Sequence, residues 1–561
     1  MAWFRFPQAV SIGVLVAMLA ACGGGGSSSG GGSSGGGGGD GGSSPPPAPA
    51  PPVFTTPTAV RVSQPTPFRA GCLAIPGGST AYVNSEVEPH LAVDPSNPNH
   101  LIAAWQQDRL SDGGAQGLAG AVSVDGGITW SAPRALPFSQ CAAGDYQRAS
   151  DPWVSVSASS AFFIGIAFSA NPSPRSAVLV SRSGDGGFNW GAPVVLADDD
   201  ASVYFNDKET ITADSTDARK VYAIWYRFDG DGICSDRFAR SQDGGISWEP
   251  AFTIYEPDVN AQNLGHVILV SPDGTVHNFF TELTEDSAGH VSGRLKVMSS
   301  SDQGSSWSSP TLIGDLLAVE TRDPARPGVA VRGGEAIGSF AVNPVDGTLY
   351  AVWQDSRFTS GTHNAVVIAW SRDGGKTWTS PVAINADLAV PAFTPAVAVL
   401  PNGTIGVTYY DFRMTSTLDT RPTDFWIAFS RDGDSWRELR LAGNFDLLNA
   451  PSAQTGRFLG DYTGLVAQGT GTFVSLYSRV NNGDTADRTD VFADRTDATT
   501  VTGAVSPGAG YVLQKTRAPV WNEAAQGRVE RHLAQVFDER RRMSREWFKA
   551  PAETAVAPVS E

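Results

Sequence analysis

An octet that returns six times constrains the fold of this chain more than any other feature of its sequence. Its form is Ser-x-Asp-x-Gly-x-x-Trp, usually with Gly after the Asp and Ser or Thr before the Trp, and the last copy lacks one residue. The copies occupy residues 123–130, 183–190, 241–248, 300–307, 371–378 and 430–436, and their aspartates are 58 to 71 residues apart. A period of this length indicates a repeat architecture with one supersecondary unit per copy.

The residue types of the octet fit a tight turn between two strands. Glycine adopts positive φ without steric cost, so Gly-Gly suits a sharp reversal. The Asp carboxylate can accept hydrogen bonds from backbone N–H groups of the turn that it begins, and the Trp can pack between neighbouring sheets. We therefore interpret the octets as structural turns, and we predict no metal site and no cofactor.

The same order of predicted strands recurs around each octet. In the first unit, a strand at 90–93 is followed by a turn and a continuous apolar run at 101–105. A third strand at 120–123 leads into the octet and a fourth strand. Continuous apolar runs indicate strands that are covered on both faces. The pattern predicts an all-β fold, a β-propeller of four-stranded antiparallel blades.

The number of blades follows from the first strands. Seven can be counted, the last near residues 462–466, although the octet occurs only six times. The seventh unit has no fourth strand after it, and an extended segment at 59–62 could fill that place and close the ring. We predict seven blades, with six as the alternative.

The octet is identified as the Asp-box, or BNR repeat, of sialidase-like proteins, and this resemblance covers roughly residues 85–500. In that family the active face lies opposite the Asp-boxes, where second strands lead into third strands. Polar and charged residues collect after the second strands here, as in Asp108 and Arg109. The resemblance implies a glycan ligand bound on that face.

The resemblance also implies catalytic residues. Sialidases use a Tyr nucleophile helped by a Glu, and an Asp as acid/base. The stretch Gly460-Asp-Tyr462-Thr-Gly-Leu465 is similar to the segment around the family's Tyr, and Glu282 resembles its Glu. Asp112 lies where the acid/base would lie in the first blade.

Three arginines hold the sugar's carboxylate in that family. Arg294 and Arg421, each leading into a third strand, resemble two of them. For the third, Arg109 is one of several candidates, because the family's Phe-Arg-Ile-Pro motif has no match here. Planar guanidinium groups suit a carboxylate better than an ammonium does.

These features predict a cell-envelope sialidase-like propeller that hydrolyses terminal sialic acid or a related glycoside. The alternative is a non-catalytic propeller that binds a glycan or a protein. Whether the chain is an enzyme stays open, because a fold does not determine a reaction. The net charge of −17 argues against nucleic acid as a partner.

The N-terminal region predicts export and a lipid anchor. An apolar run ends in Leu19-Ala20-Ala21-Cys22, which resembles the lipobox of bacterial lipoproteins with Cys22 as the acylated residue. Residues 1–22 are then the signal segment, and the Gly-, Ser- and Pro-rich residues 23–56 are a disordered tether. The protein would be held at the cell envelope, on the periplasmic side or at the cell surface.

The remaining segments complete the predicted domain organisation. The propeller spans 57–515, and 516–561 contain an amphipathic helix and a disordered tail. We favour packing of the helix on the outer wall of the propeller over docking of a partner. Cys72 and Cys141 lie in connections into the first two blades and are expected to form a disulfide, with Cys234 left over.

Overall fold

A computed structural model describes residues 59–73, 79–170, 173–229, 233–414, 421–498 and 521–547, with side chains up to Arg541 in the last segment. The signal segment, Cys22 and the predicted tether lie outside these residues, as do 548–561. No helix within the described residues is long and apolar enough to cross a membrane.

The described strands form seven antiparallel blades of four strands each, as the repeat predicts. The short strand β1 (Val60–Arg61) comes first. Blade 1 contains β2 (Glu86–Asp94), β3 (Asn97–Arg109), β4 (Ala115–Ser123) and β5 (Arg134–Ala135). Blade 2 contains β6 (Arg148–Val156), β7 (Ala161–Ser169), β8 (Arg175–Ser183) and β9 (Val194–Asp200). Blade 3 contains β10 (Tyr204–Ala213), β11 (Val221–Asp229), β12 (Cys234–Ser241) and β13 (Phe252–Tyr255). Blade 4 contains β14 (Ala261–Val270), β15 (Val276–Glu285), β16 (Val291–Ser300) and β17 (Thr311–Leu316).

The second half of the chain adds three blades, four short strands and one helix. Two short strands precede blade 5, β18 (Thr321–Arg322) and β19 (Ala330–Arg332). Blade 5 itself contains β20 (Ser339–Val342), β21 (Leu349–Asp355), β22 (Ala365–Ser371) and β23 (Val382–Ala383). Blade 6 contains β24 (Ala392–Val399), β25 (Ile405–Asp411), β26 (Thr423–Ser430) and β27 (Arg437–Phe445). Two further short strands precede blade 7, β28 (Ser452–Ala453) and β29 (Gly456–Phe458). Blade 7 itself contains β30 (Gly464–Gln468), β31 (Thr472–Val480) and β32 (Thr489–Asp497). The helix α1 (Glu523–Trp547) ends the described chain.

The blades form a closed ring with the first strands innermost. The first strand of each blade contacts that of the next, and β30 of blade 7 contacts β2 of blade 1. β1 supplies the fourth strand of blade 7, because Val60 and Arg61 pair with Ala493 and Phe492 of β32. The expected closure by the N-terminal segment is thus present.

Each octet forms the turn that its residue types predict. In the first copy, Asp125 accepts hydrogen bonds from Thr129 N at 2.9 Å and from Thr129 Oγ1 at 2.6 Å. Gly126 and Gly127 have φ of 75° and 89°. The octets lie on the face that carries the first-to-second turns, which we name the octet face. The opposite face, with the second-to-third loops and the connections between blades, is the loop face.

The core consists of large side chains packed between blades. Trp105, Trp225 and Trp353 on second strands are fully buried. The tryptophans of the first five octets are half-buried, and Trp436 of the sixth is buried. The continuous apolar second strands are therefore covered on both faces.

The apolar stripe of the C-terminal helix packs on the propeller, as expected, but the helix lies across the loop face over blades 3 to 5 and not on the outer wall. Val529, Leu533 and Phe537 are buried in the main apolar cluster. The Arg540 guanidinium stacks on Tyr226, 4.4 Å from the ring centre, at the end of β11. Apolar spacing predicts which helix face is buried, but it carries no information about the surface that covers it.

Candidate functional site

Five first strands contain a bulge at the same depth in the ring. In each, one extra residue interrupts the pairing with the second strand. The extra residues, all with φ between 50° and 65°, are Glu88, Asp151, Lys208, Gly265 and Thr394. A bulge re-aims a side chain, and positive φ costs a non-glycine residue about 1–2 kcal/mol. The innermost strands therefore hold three charged residues in strained conformations near the axis.

Three of these bulges bring charged side chains of blades 1 to 3 together in what we name the axial cluster, and the segments before blades 5 and 7 add one charged residue each. Lys208 Nζ lies 2.8 Å from Asp461 Oδ2, 3.1 Å from Asp151 Oδ2 and 3.5 Å from Glu88 Oε1. The fifth member is Arg332, whose Nε donates to Asp461 Oδ1 at 2.9 Å. β19 positions Arg332 here by pairing in parallel with β29, which precedes Asp461. The cluster thus holds three carboxyl groups and two cations.

Two cavities meet at this cluster and share Asp151 and Lys208. The face cavity, about 90 Å³, is also lined by Glu88, Arg332 and residues of the second-to-third loop of blade 1. The channel cavity, about 250 Å³, lies between the first strands, and its lining includes Tyr462. The lining of the face cavity also includes four apolar side chains, Ile166, Phe168, Phe205 and Phe228.

The carboxyl groups of the cluster differ in their protonation. Burial raises the pKa of Glu88 to about 8, despite the opposing charge of Lys208. Burial also disfavours ionised Asp151, but Lys208 and a hydrogen bond from Ser150 overcome it and lower the pKa of Asp151. Arg332 and Lys208 likewise hold the pKa of Asp461 well below its usual range, against burial. Burial thus favours the protonated form of Glu88, whereas the neighbouring cations favour the ionised forms of Asp151 and Asp461.

Two of the predicted site residues line the face cavity. Asp112 lies in the second-to-third loop of blade 1 and forms an ion pair with Arg148 at 2.8 Å. Arg109 is buried at the end of β3, donates to Gln106 Oε1 at 2.7 Å and stacks on Phe458 at 4.6 Å. Both therefore share the cavity with Glu88.

The predicted pair of Tyr462 and Glu282 does not form. The Tyr462 hydroxyl donates to Pro152 O at 3.0 Å in the channel cavity, and the ring packs edge-on against Trp153. Glu282 accepts a hydrogen bond from Tyr255 at 2.9 Å and one from Lys296, between blades 3 and 4. The segment around Tyr462 instead contributes its neighbour Asp461 to the axial cluster.

The two arginines expected to hold a carboxylate also lie apart from the cluster. Arg294 is opposite Glu282 in blade 4, but its side chain is half-exposed and lies 3.6 Å from Asp315. Arg421 donates from its backbone N to Asp323 at 3.2 Å and from its Nε to Met414 O at 3.3 Å. Neither lines the two cavities at the cluster.

The predicted cysteine pair is connected. Cys72 and Cys141 form a disulfide with a Cα–Cα distance of 5.1 Å. Cys234 is buried at the start of β12 and is not part of the disulfide.

No family model and no curated protein sequence matches the chain. Among solved structures, similarity is found to the Hadza microbial sialidase Hz136, with 18% identity, a TM-score of 0.40 and coverage of 72% of this chain and 75% of that one. An α-L-arabinanase of Penicillium chrysogenum complexed with arabinobiose has 14% identity, a TM-score of 0.42 and coverage of 80% and 99%. A protein of unknown function from Dyadobacter fermentans has 13% identity, a TM-score of 0.42 and coverage of 75% and 100%. At these values we infer nothing from them about the chemistry of the site.

Proposed function

We propose that the chain is a glycoside hydrolase that binds a terminal, uncharged sugar in the face cavity. The observation that carries this proposal is that two carboxyl groups with opposite shifts in pKa, raised for Glu88 and lowered for Asp151, line one cavity. Glycosidases use such a pair, in which one carboxyl group gives a proton and the other acts as a carboxylate. In this scheme Glu88 protonates the glycosidic oxygen as its bond to the anomeric carbon breaks. Asp151 attacks the anomeric carbon, and Glu88 then takes a proton from the water that breaks the new bond and releases the sugar.

The distances support a joint role for the two groups. Both lie within 3.5 Å of Lys208 Nζ, so they are neighbours with opposite shifts in pKa. The rings of Phe168 and Phe205 give the cavity an apolar wall against which a sugar ring can stack. Asp112, with a half-exposed side chain, stands nearer to solvent than Glu88.

The charges of the cavity favour a neutral sugar over sialic acid. Arg332 is bound to Asp461, and Arg109 is buried against Gln106 and Phe458. A sialic acid carboxylate would have to displace these partners, whereas an uncharged sugar would not. The catalytic role expected of Tyr462 is therefore replaced in this proposal by the carboxyl pair.

The alternative function is a glycan-binding propeller without catalysis. The burial of Glu88, which is only 1% exposed, favours it, since a catalytic acid must reach the glycosidic oxygen. The two functions differ in whether a bond of the ligand is broken.

A substrate panel separates these possibilities. The full-length protein is incubated with methylumbelliferyl glycosides of neutral hexoses and pentoses and of sialic acid. We expect release from a neutral glycoside, and a loss of at least 100-fold in kcat for Asp151→Asn. The control Asp286→Asn, on an exposed turn of blade 4, should keep full activity. Release of methylumbelliferone from the sialic acid glycoside alone would contradict the proposal that the substrate is a neutral sugar. Binding on a glycan array without release from any glycoside would support the glycan-binding propeller without catalysis.

We also propose that the chain is an exported lipoprotein distantly related to sialidase-like Asp-box proteins. The octets support the kinship, and the apolar run before Cys22 supports the anchor. Labelled palmitate should be incorporated into the wild type and not into Cys22→Ser. Equal labelling of both would contradict the anchor.

A further inference from the structure

Three acidic side chains converge where the last blade meets the first. Glu86 begins β2, Asp490 lies at the start of β32, and Asp487 is in the loop before it. One oxygen from each lies within 4.8 Å of the other two. Within the described segments this is the one group of three or more acidic, His or Cys side chains with ligand atoms so close together.

Hydrogen-bond donors satisfy part of this group. Arg61 of β1 lies 3.1 Å from Asp487 and also pairs with Asp490. Asn481 Nδ2 donates to Asp490 Oδ2 at 2.8 Å and to Asp487 Oδ1 at 3.2 Å. Both aspartates therefore have partners.

Glu86 differs from the two aspartates. Its residue is 0% exposed, and its Oε1 accepts a hydrogen bond from Gln107 at 2.5 Å. Its Oε2 is buried and has no hydrogen-bond partner. A buried carboxylate oxygen without a donor is costly, because it has lost water and gained nothing in return. This oxygen points to a ligand that the protein itself does not supply.

The charges of the group call for a further cation. Within the described residues, Arg61 is the one cation that pairs with these three carboxyl groups, and the carboxyl group of Asp108 lies close by, beside Gln107. Buried charges of one sign without compensation are strongly unfavourable. A divalent cation would compensate the negative charge of the group that Arg61 does not neutralise.

We propose that Glu86, Asp487 and Asp490 bind a calcium ion that joins blade 7 to blade 1. Calcium takes six to eight oxygen ligands in flexible geometry, and carboxylates and amide oxygens are its usual protein ligands. The two ends of an amide have nearly the same shape, so Asn481 can turn to present its oxygen. A neighbouring cavity of about 640 Å³, lined by Asp487 and Asp490, admits water as the remaining ligands.

The position of the ion gives it a structural role. Glu86 belongs to blade 1, while Asp490 belongs to blade 7 and also accepts a hydrogen bond from Ser63, just after β1. A bridge between Ser85 and Thr489 joins the two blades beside the site. Calcium would therefore strengthen the contact at which the ring closes.

The test measures binding and stability on the full-length chain after treatment with EDTA. Titration calorimetry with Ca²⁺ should show one site, and Ca²⁺ should raise the melting temperature. We expect Glu86→Gln to bind at least tenfold more weakly, while Asp286→Asn, an exposed acid far from the site, binds as the wild type does.

If Glu86→Gln fails to fold, Asp487→Asn serves in its place, because Asp487 is only half-buried. Failure of the wild type to bind Ca²⁺ at millimolar concentration would overturn the proposal and indicate that Glu86 is protonated. Equal binding by the wild type and the ligand variants would place the ion elsewhere. Tighter binding of Mg²⁺ would contradict the assignment to calcium.

Discussion

At the scale of single residues, the axial cluster depends on Lys208. Its ammonium group lies within 3.5 Å of carboxyl oxygens of Glu88, Asp151 and Asp461. It occupies a bulge with a φ of 53°, which a lysine adopts only when its surroundings hold it there. The same cation stabilises ionised Asp151, so the stability and the proposed chemistry of the site are connected.

Replacing Lys208 with methionine should therefore destabilise the protein. Removing one partner of a buried charged group typically costs about 3–5 kcal/mol, and here Asp151 would lose its cation. The pKa of Asp151 is depressed in the folded protein. The stability that its ion pair with Lys208 contributes is therefore present at pH values above the pKa of Asp151 in the unfolded chain, and it is lost as the pH falls through the lower pKa of the folded state. The difference in free energy of unfolding from the wild type should thus be larger at pH 7 than at pH 3.

Urea unfolding of Lys208→Met and of the exposed control Lys376→Met checks this prediction. Equal stabilities of Lys208→Met and the control at pH 7 would show that the cluster does not need its cation.

The sequence predicts some of these residues better than others. Arg109 and Asp112 follow an apolar second strand, so their position at the loop face can be read from the pattern. Glu88, Asp151 and Lys208 lie within first strands, where an alternating or apolar pattern gives no reason to expect a charge on the axis. A signal was present in Glu88-Pro89 and Asp151-Pro152, since proline inside a strand often marks a bulge.

At the scale of elements, the octet turn is the part whose structure follows most directly from its sequence. In the third copy, Asp243 accepts hydrogen bonds from Ser247 N at 2.9 Å and Ser247 Oγ at 2.6 Å. The side-chain and backbone hydrogen bonds of Ser247 lower the pKa of Asp243 to about 2. Local hydrogen bonds of this kind need no distant partner, which is why they can be predicted.

Substitution of Asp243 by asparagine should lower the melting temperature by roughly 1–3 °C at neutral pH. The folded pKa is depressed, so the contribution of the carboxylate is present above pH 4 and is lost as the pH falls towards 2. Calorimetry at pH 7 and pH 3 should find a smaller difference from the wild type at the lower pH. A larger difference in melting temperature between Asp243→Asn and the wild type at pH 3 than at pH 7 would contradict the stabilising role of the Asp243 carboxylate.

The helix α1 shows where prediction from an element's own sequence ends. Its apolar stripe predicts the buried positions Val529 and Leu533, and both are buried. The surface beneath the helix is built from loops of blades 3 to 5, with contacts such as that of Arg528 to Gly361 O at 2.6 Å. Those contacts join residues more than 150 positions apart, and no local pattern encodes them.

At the scale of the whole molecule, closure of the ring depends on a short N-terminal strand. The number of octets, six, does not predict the number of blades, which is seven. The number of first strands, also seven, does predict it. β1 completes blade 7, and Val62 beside it is buried and donates to Val491 O at 2.8 Å. The number of blades was therefore predictable, because it depends on repeated strands and not on side-chain geometry.

Removal of β1 should weaken the ring. A chain that lacks residues 1–64 loses the burial of Val62, worth roughly 2–3 kcal/mol, and exposes an unpaired edge of β32. A chain that lacks only residues 1–58 keeps β1 and is the matched control. Scanning calorimetry should find a lower melting temperature for the longer deletion only; equal melting temperatures would show that β1 is dispensable.

The most direct test of the proposed function is the dependence of Glu88→Gln on the leaving group. A glycoside with a dinitrophenyl leaving group needs no acid, whereas a methylumbelliferyl or sugar leaving group does. On the glycosidase proposal, kcat/KM of Glu88→Gln falls at least 100-fold for the poorer leaving groups and less than tenfold for the dinitrophenyl glycoside. An equal loss of kcat/KM for all leaving groups, or no loss for any of them, would contradict the role of Glu88 as the acid.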